Sequence, residues 1–198
     1  MIKKNLKIKN GYTIIETMIA VSLFIIIVMV GMGALLSANS LHRKSQGMRS
    51  VMDNLSFIME DISRNLRTGY SFHCIAPGDT VPVISVSTPK SCATGGWGIA
   101  FEYTKGNPSN DDDQWVYYID DGKIFKSTLG SDLSNFIQLT PDEIVIDSAS
   151  SFTVLGAEPP PDDLQPFVTI KLIGTITFKD IITPFSLQTS VSQRNIDI

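Results

Sequence analysis

Acid, proline, cysteine and histidine are all scarce in parts of this chain, and each shortage excludes something. The first 52 residues hold a single acidic side chain, Glu16, and no proline precedes Pro77. A long helix is therefore not interrupted anywhere in the first third of the chain. Cysteine occurs twice, at Cys74 and Cys92, with no CxxC spacing, which argues against a redox enzyme. The two histidines, His42 and His73, have no second Cys/His cluster to join, so neither a zinc cage nor a nucleophile at His73–Cys74 is expected. The "GGWG" at Gly95 to Gly98 is followed by no lysine and serine and is a turn with an aromatic, not a phosphate cradle. An obvious basic and aromatic strip is missing from an acidic chain, and no nucleic-acid partner is claimed. No catalytic residue and no cofactor are expected.

What is present is distributed unevenly. Net charge is −4 over 198 residues, but Lys3, Lys4, Lys7 and Lys9 crowd the start, and the remainder without them stands at about −8. Behind the lysines, residues 18–36 are apolar apart from Ser22 and the glycines. Nineteen residues make roughly 28 Å of helix, close to the hydrocarbon thickness. By the positive-inside rule the lysines stay in the cytoplasm and the rest is exported. A cleaved secretory signal fits poorly, because its apolar region is usually about 7 to 15 residues long and "LLSANS" places Leu36 where a small residue belongs. A plain anchor fits the span but leaves Glu16 unexplained.

The leader ending in Gly11, then Tyr12, Thr13, two aliphatics and Glu16, then about 20 apolar residues, resembles the class III signal of type IV pilins and pseudopilins. The resemblance implies cleavage by a prepilin peptidase between Gly11 and Tyr12 and N-methylation of Tyr12, where the family most often has Phe. It implies that Glu16, costly in lipid at about 2.5 to 3.5 kcal/mol, pairs with the amino terminus of a neighbouring subunit. The segments "FIMEDISRNLRTGY" and "TSVSQRN" resemble minor pilins and pseudopilins. Retention of Glu16 argues against the tip-most pseudopilin type.

Past the span the apolar pattern becomes one-sided. Leu41, Met48, Val51, Met52, Leu55, Ile58, Met59, Ile62 and Leu66 recur at three- and four-residue steps, while Arg43, Lys44, Arg49, Asp53, Glu60, Arg64 and Arg67 take the opposite face. One helix over about residues 13–67 is predicted, roughly 80 Å long, its stripe covering the chain's own later strands; a coiled-coil seam is the rival. Gly31 and Gly33 serve either flexibility or close helix contact.

Beyond Gly69 the chain reads as strands: "PVISV", "GIAFEY", "WVYYI", "KIFKS", "EIVID", "SFTVLG", "FVTIKLIGTITF" and "FSLQTSVSQ". Asp121 and Gly122 supply hairpin chemistry between two of them. Phe185, Leu187, Thr189 and Val191 alternate with polar residues, as in an antiparallel sheet laid on a helix. Cys74 and Cys92, an even pair in an exported region, are most simply a disulfide, with two free buried thiols as the alternative. The run Asp111, Asp112, Asp113 lacks the spacing and glycine of a known calcium loop and is read as a solvated acidic loop, with no metal expected; calcium coordination, which the resemblance implies for some pseudopilins, is the alternative.

The expected protein is α+β with a type IV pilin-like fold: a leader over 1–11, a membrane or filament-core helix half over 12–38, an amphipathic half over 39–68, and a β-rich exported region over 69–198. Its expected role is that of a structural subunit, a minor pilin or pseudopilin of a pilus, type II secretion or competence filament. The implied partners are sister subunits, the prepilin peptidase and an inner-membrane assembly platform. The alternatives are a major pilin or adhesin fibre subunit, and a singly anchored surface receptor or enzyme.

Overall fold

The computed structural model describes residues 11–79, 88–107, 109–159, 164–178 and 181–194. The lysine leader and the "PVISV" segment lie outside the described residues. One helix, α1 (Ile14–Thr68), accounts for the first third of the chain. Its length follows from the lack of proline and holds although the first half is rich in β-branched Ile and Val and carries Gly31 and Gly33, all weaker helix formers. Gly69 ends it, its N–H donating to Asn65 O at 2.9 Å. The chain divides between Gln46 and Gly47 into two compact units.

In the second unit Val51, Leu55, Ile58, Met59, Ile62 and Leu66 of α1 are buried, and Met48 and Met52 pack against them. The predicted stripe holds over these positions, and Leu41 departs from it, standing 64% exposed in the first unit. Arg49, Asp53, Glu60, Arg64 and Arg67 face solvent as expected.

Among the described residues ten strands form two antiparallel sheets, where one was expected. Sheet 1 runs β1 (Tyr70–Ile75), β3 (Gly98–Glu102), β4 (Trp115–Asp120), β5 (Lys123–Ser127) and β6 (Ile137–Gln138). Sheet 2 runs β10 (Ile181–Ser192), β9 (Phe167–Phe178), β8 (Ser151–Leu155) and β2 (Cys92–Gly96), with β7 (Ile144–Ile146) paired to β9 beyond the end of β8. The "GGWG" stretch is where the chain leaves sheet 2 and enters sheet 1, with Trp97 alone between β2 and β3. Short strands β1, β2 and β6 escaped the sequence reading because none alternates over enough residues to show a period.

Both sheets contribute to one core with α1: Phe72, Ile99, Phe101 and Tyr117 from sheet 1, and Phe152, Val154, Ile170 and Leu172 from sheet 2. In β10 the expected alternation is observed, with Phe185 and Val191 buried and Ser186, Gln188, Ser190 and Ser192 exposed. Gly47 has its own reason to be glycine, since a Cβ there would run into the Phe178 ring at the end of β9.

Candidate functional site

The predicted site residues are local to the helix start. Gly11, Tyr12 and Thr13 precede α1, with Tyr12 exposed at 83%. Thr13 caps the helix: its carbonyl accepts from the N–H of Glu16 at 3.1 Å and of Thr17 at 3.2 Å, and its hydroxyl accepts from the Glu16 N–H at 3.3 Å. Thr13-Ile14-Ile15-Glu16 thus has the sequence of a capping box, and Glu16 sits in the first turn, where the helix dipole favours an anion. That local role for Glu16 was legible in the sequence as T-x-x-E, and the sequence reading missed it.

Every large apolar side chain between Ile14 and Leu36 is exposed within the chain itself, Met29 and Leu35 both at 71%. The segment is long and apolar enough to cross a membrane, and none of it is buried. Removing such a side chain from water is worth about 1.5–3 kcal/mol, so a surface of this size needs lipid or other apolar helices around it. Gly31 and Gly33 interrupt nothing: α1 is continuous through them, and an added Cβ at either would meet nothing within 4 Å. Packing inside the chain therefore does not require them.

Cys74 on β1 and Cys92 on β2 form a disulfide, with Cα atoms 5.9 Å apart. Because β1 is an edge of sheet 1 and β2 an edge of sheet 2, the bond joins the two sheets. Both sulfurs are enclosed in the core.

A polar clamp that the sequence reading did not single out ties α1 to sheet 1. Asp61 accepts from Lys126 Nζ at 2.8 Å, Tyr117 Oη at 2.9 Å and Asn65 Nδ2 at 3.1 Å. Lys126 also lies over the Trp115 ring at 4.7 Å and the Tyr117 ring at 5.3 Å. Burial pushes the Asp61 carboxyl up, but the Lys126 ammonium, the Tyr117 hydroxyl and the Asn65 amide together outweigh burial and hold it below the usual carboxylate range. Tyr117, wholly buried, is pushed the other way by burial and stays a donor. The signal available in the sequence was weak: an acid on the edge of an apolar stripe and a lysine inside a strand.

The molecule therefore presents an exposed apolar helix with a capped, acid-bearing mouth, followed by a disulfide-joined unit of two sheets. Comparison with family models, with curated proteins and with solved structures returns no match.

Proposed function

We propose that the chain is a structural subunit of a type IV pilus-like or type II secretion filament, of the minor pilin or pseudopilin kind. In this reading residues 1–11 are a leader removed by prepilin peptidase, residues 12–38 insert in the membrane and later in the filament core, residues 39–68 carry the exported region, and residues 69–198 form its surface. The observation that carries the reading is the placement of one carboxylate, Glu16, at the mouth of a helix whose apolar surface has no cover among the described residues. Assembly supplies both missing parts. Neighbouring helices cover the apolar surface, and the amine freed at Tyr12 of a sister molecule neutralises Glu16.

The cap geometry sharpens the test. A glutamine at the third helical position can serve a capping box as glutamate does, so Glu16→Gln keeps the local role and removes only the charge. In cells that carry the companion assembly genes, Glu16→Gln is expected to be processed and to stay in the membrane, yet to drop out of sheared filaments by about tenfold or more, the effect of roughly 1.4 kcal/mol or greater. Intact mass of the purified protein is expected to show loss of residues 1–11 and gain of one methyl group. A mature chain that still begins at Met1, or normal incorporation of Glu16→Gln, refutes the proposal.

A further inference from the structure

Glu102, the last residue of β3, and Gln114, the residue before β4, are both fully buried, each 0% exposed. The register that pairs Phe101 with Trp115 sets them opposite each other, and strand alternation puts both on the face of sheet 1 away from Phe101 and Tyr117. Gln114 Nε2 donates to Glu102 Oε1 at 2.9 Å. The second oxygen of each side chain, Glu102 Oε2 and Gln114 Oε1, is buried with no hydrogen-bond partner.

Buried polar atoms are nearly always satisfied, and the backbone donors of the loop above this pair are taken. The Gly106 N–H goes to Tyr103 O at 2.6 Å and the Asn107 N–H to Asp113 Oδ2 at 2.9 Å. Yet Gly106 passes so close that a Cβ there would strike Glu102 Oε2. A carboxylic acid meets the need where a carboxylate does not. Its hydroxyl donates to the amide carbonyl while its carbonyl oxygen accepts from the amide N–H, so one proton satisfies both orphans at once.

The surroundings of Glu102 disfavour its charged form. Burial pushes the carboxyl up, the bond from Gln114 opposes this, and the charges of Asp113 and Asp111 add to the rise. From β1, Tyr70 donates to Gly106 O at 2.9 Å and is itself pushed up by burial and by Glu102 and Asp113, so it brings no charge. His73, opposite Ala100 on the same strand, is pushed down by burial and is uncharged at neutral pH, and Lys90 near it is held by Asp79 at 2.9 Å. No cation is thus among the groups that act on Glu102. The solvated acidic loop expected of residues 111–113 is realised only at Asp112, which is exposed, whereas Asp111 and Asp113 are half-buried. Where like charges share a site, the proton settles on the carboxyl that burial penalises most, which is Glu102.

We propose that Glu102 is a protonated acid in the folded chain, that it closes a two-way acid–amide pair with Gln114 through that proton, and that the pair is a pH-sensitive latch holding Gly106, Asn107, Asp111 and Asp113 against sheet 1. Rising pH breaks the O–H bond of the carboxyl and the proton leaves to solvent. Gln114 Oε1 then loses its donor, a buried carboxylate stands against Asp111 and Asp113, and the loop residues move off. The latch is closed at low pH and opens as pH rises through the folded value of Glu102. The inference concerns Glu102, Gln114 and their neighbours alone and stands whether or not the chain joins a filament.

The full chain in detergent micelles is followed by infrared spectroscopy and by amide exchange at Gly106 and Asn107, with near-UV dichroism reporting the fold of each variant. At about pH 6, where ordinary carboxyls are ionised, the parent is expected to show a carboxylic-acid carbonyl band that Glu102→Gln lacks. Protection of the two amides, corrected for the intrinsic rise of exchange with pH, is expected to fall about tenfold or more in the parent between about pH 6 and about pH 9. Glutamine at this position donates to Gln114 Oε1 and accepts from Gln114 Nε2 without titrating, so protection in Glu102→Gln is expected to stay level. Asp113→Asn, which leaves Glu102 in place, keeps an acceptor for the Asn107 N–H and removes one neighbouring charge; it should move the fall to lower pH, while the exposed Asp112→Asn leaves it where the parent has it. Absence of the acid band from the parent at about pH 6 would overturn the proposal. So would the same fall in parent and Glu102→Gln, or a fall that Asp113→Asn does not move.

Discussion

Asp61 and Glu102 are two acids in one unit with opposite surroundings, and they respond to pH with opposite signs. Asp61 faces three donors and its carboxyl is held down. Its stabilisation is present above the ordinary value of 3.8 and is lost as pH falls through the lower folded value. Lys126→Met strips the clamp of its cation and is expected to cost about 1–3 kcal/mol in denaturant unfolding. Asp61→Asn in the same background should cost less than it does alone, and additive losses would show that the pair is not coupled. Glu102 faces burial first, then Asp113 and Asp111, with Tyr70 and His73 beside them, and its carboxyl is held above 4.5. Folding then favours the protonated form, so its contribution is fullest below 4.5 and is lost as pH rises through the folded value. Glu102→Gln is accordingly expected to melt above the parent at pH 7 and level with it near pH 4. Equal melting at both would contradict this account.

The disulfide and the β4–β5 hairpin show how elements are joined. Asp121 at φ 44° and Gly122 at φ 70° make the two-residue turn anticipated from Asp-Gly, in the left-handed pair that matches strand twist. The Cys74–Cys92 bond closes a loop of 18 positions, worth about 3 kcal/mol on the chain-entropy argument. Replacing both cysteines with alanine is expected to lower unfolding free energy by about that amount. Because the bond also links an edge of each sheet, hydrogen exchange in β1 and β2 should accelerate before that of α1. Uniform acceleration across the unit would mean that the bond acts on the unfolded chain alone.

For the molecule as a whole, the contrast between its two units is between a surface that water tolerates and one that it does not. Two arginines in the apolar segment, Phe24→Arg with Ile27→Arg, should add about 5–7 kcal/mol to its insertion cost and release the chain from alkali-washed membranes. The same pair of substitutions should leave the disulfide-bonded unit folded, as judged by near-UV dichroism. Retention in the membrane pellet would argue that something other than the apolar helix holds the chain there.

The long helix was legible because its signals are local: no proline, an apolar run, then a stripe at three- and four-residue steps from Met48 to Leu66. The same holds for the Asp121–Gly122 turn and for the alternation of Phe185 to Val191, since each is fixed by a period or a turn within a few residues. The α+β class and the pairing of the only two cysteines were within reach for similar reasons. The division into two sheets was not, because β2 and β3 are separated by Trp97 alone and nothing in "GGWG" says that hydrogen bonding changes partners there. Nor could spacing show that Asp61 would meet Lys126, 65 positions away, or that Glu102 and Gln114 would be buried together and hydrogen-bonded to each other. Such contacts arise from register and loop closure, which depend on energies summed across distant strands and not on any neighbouring pattern.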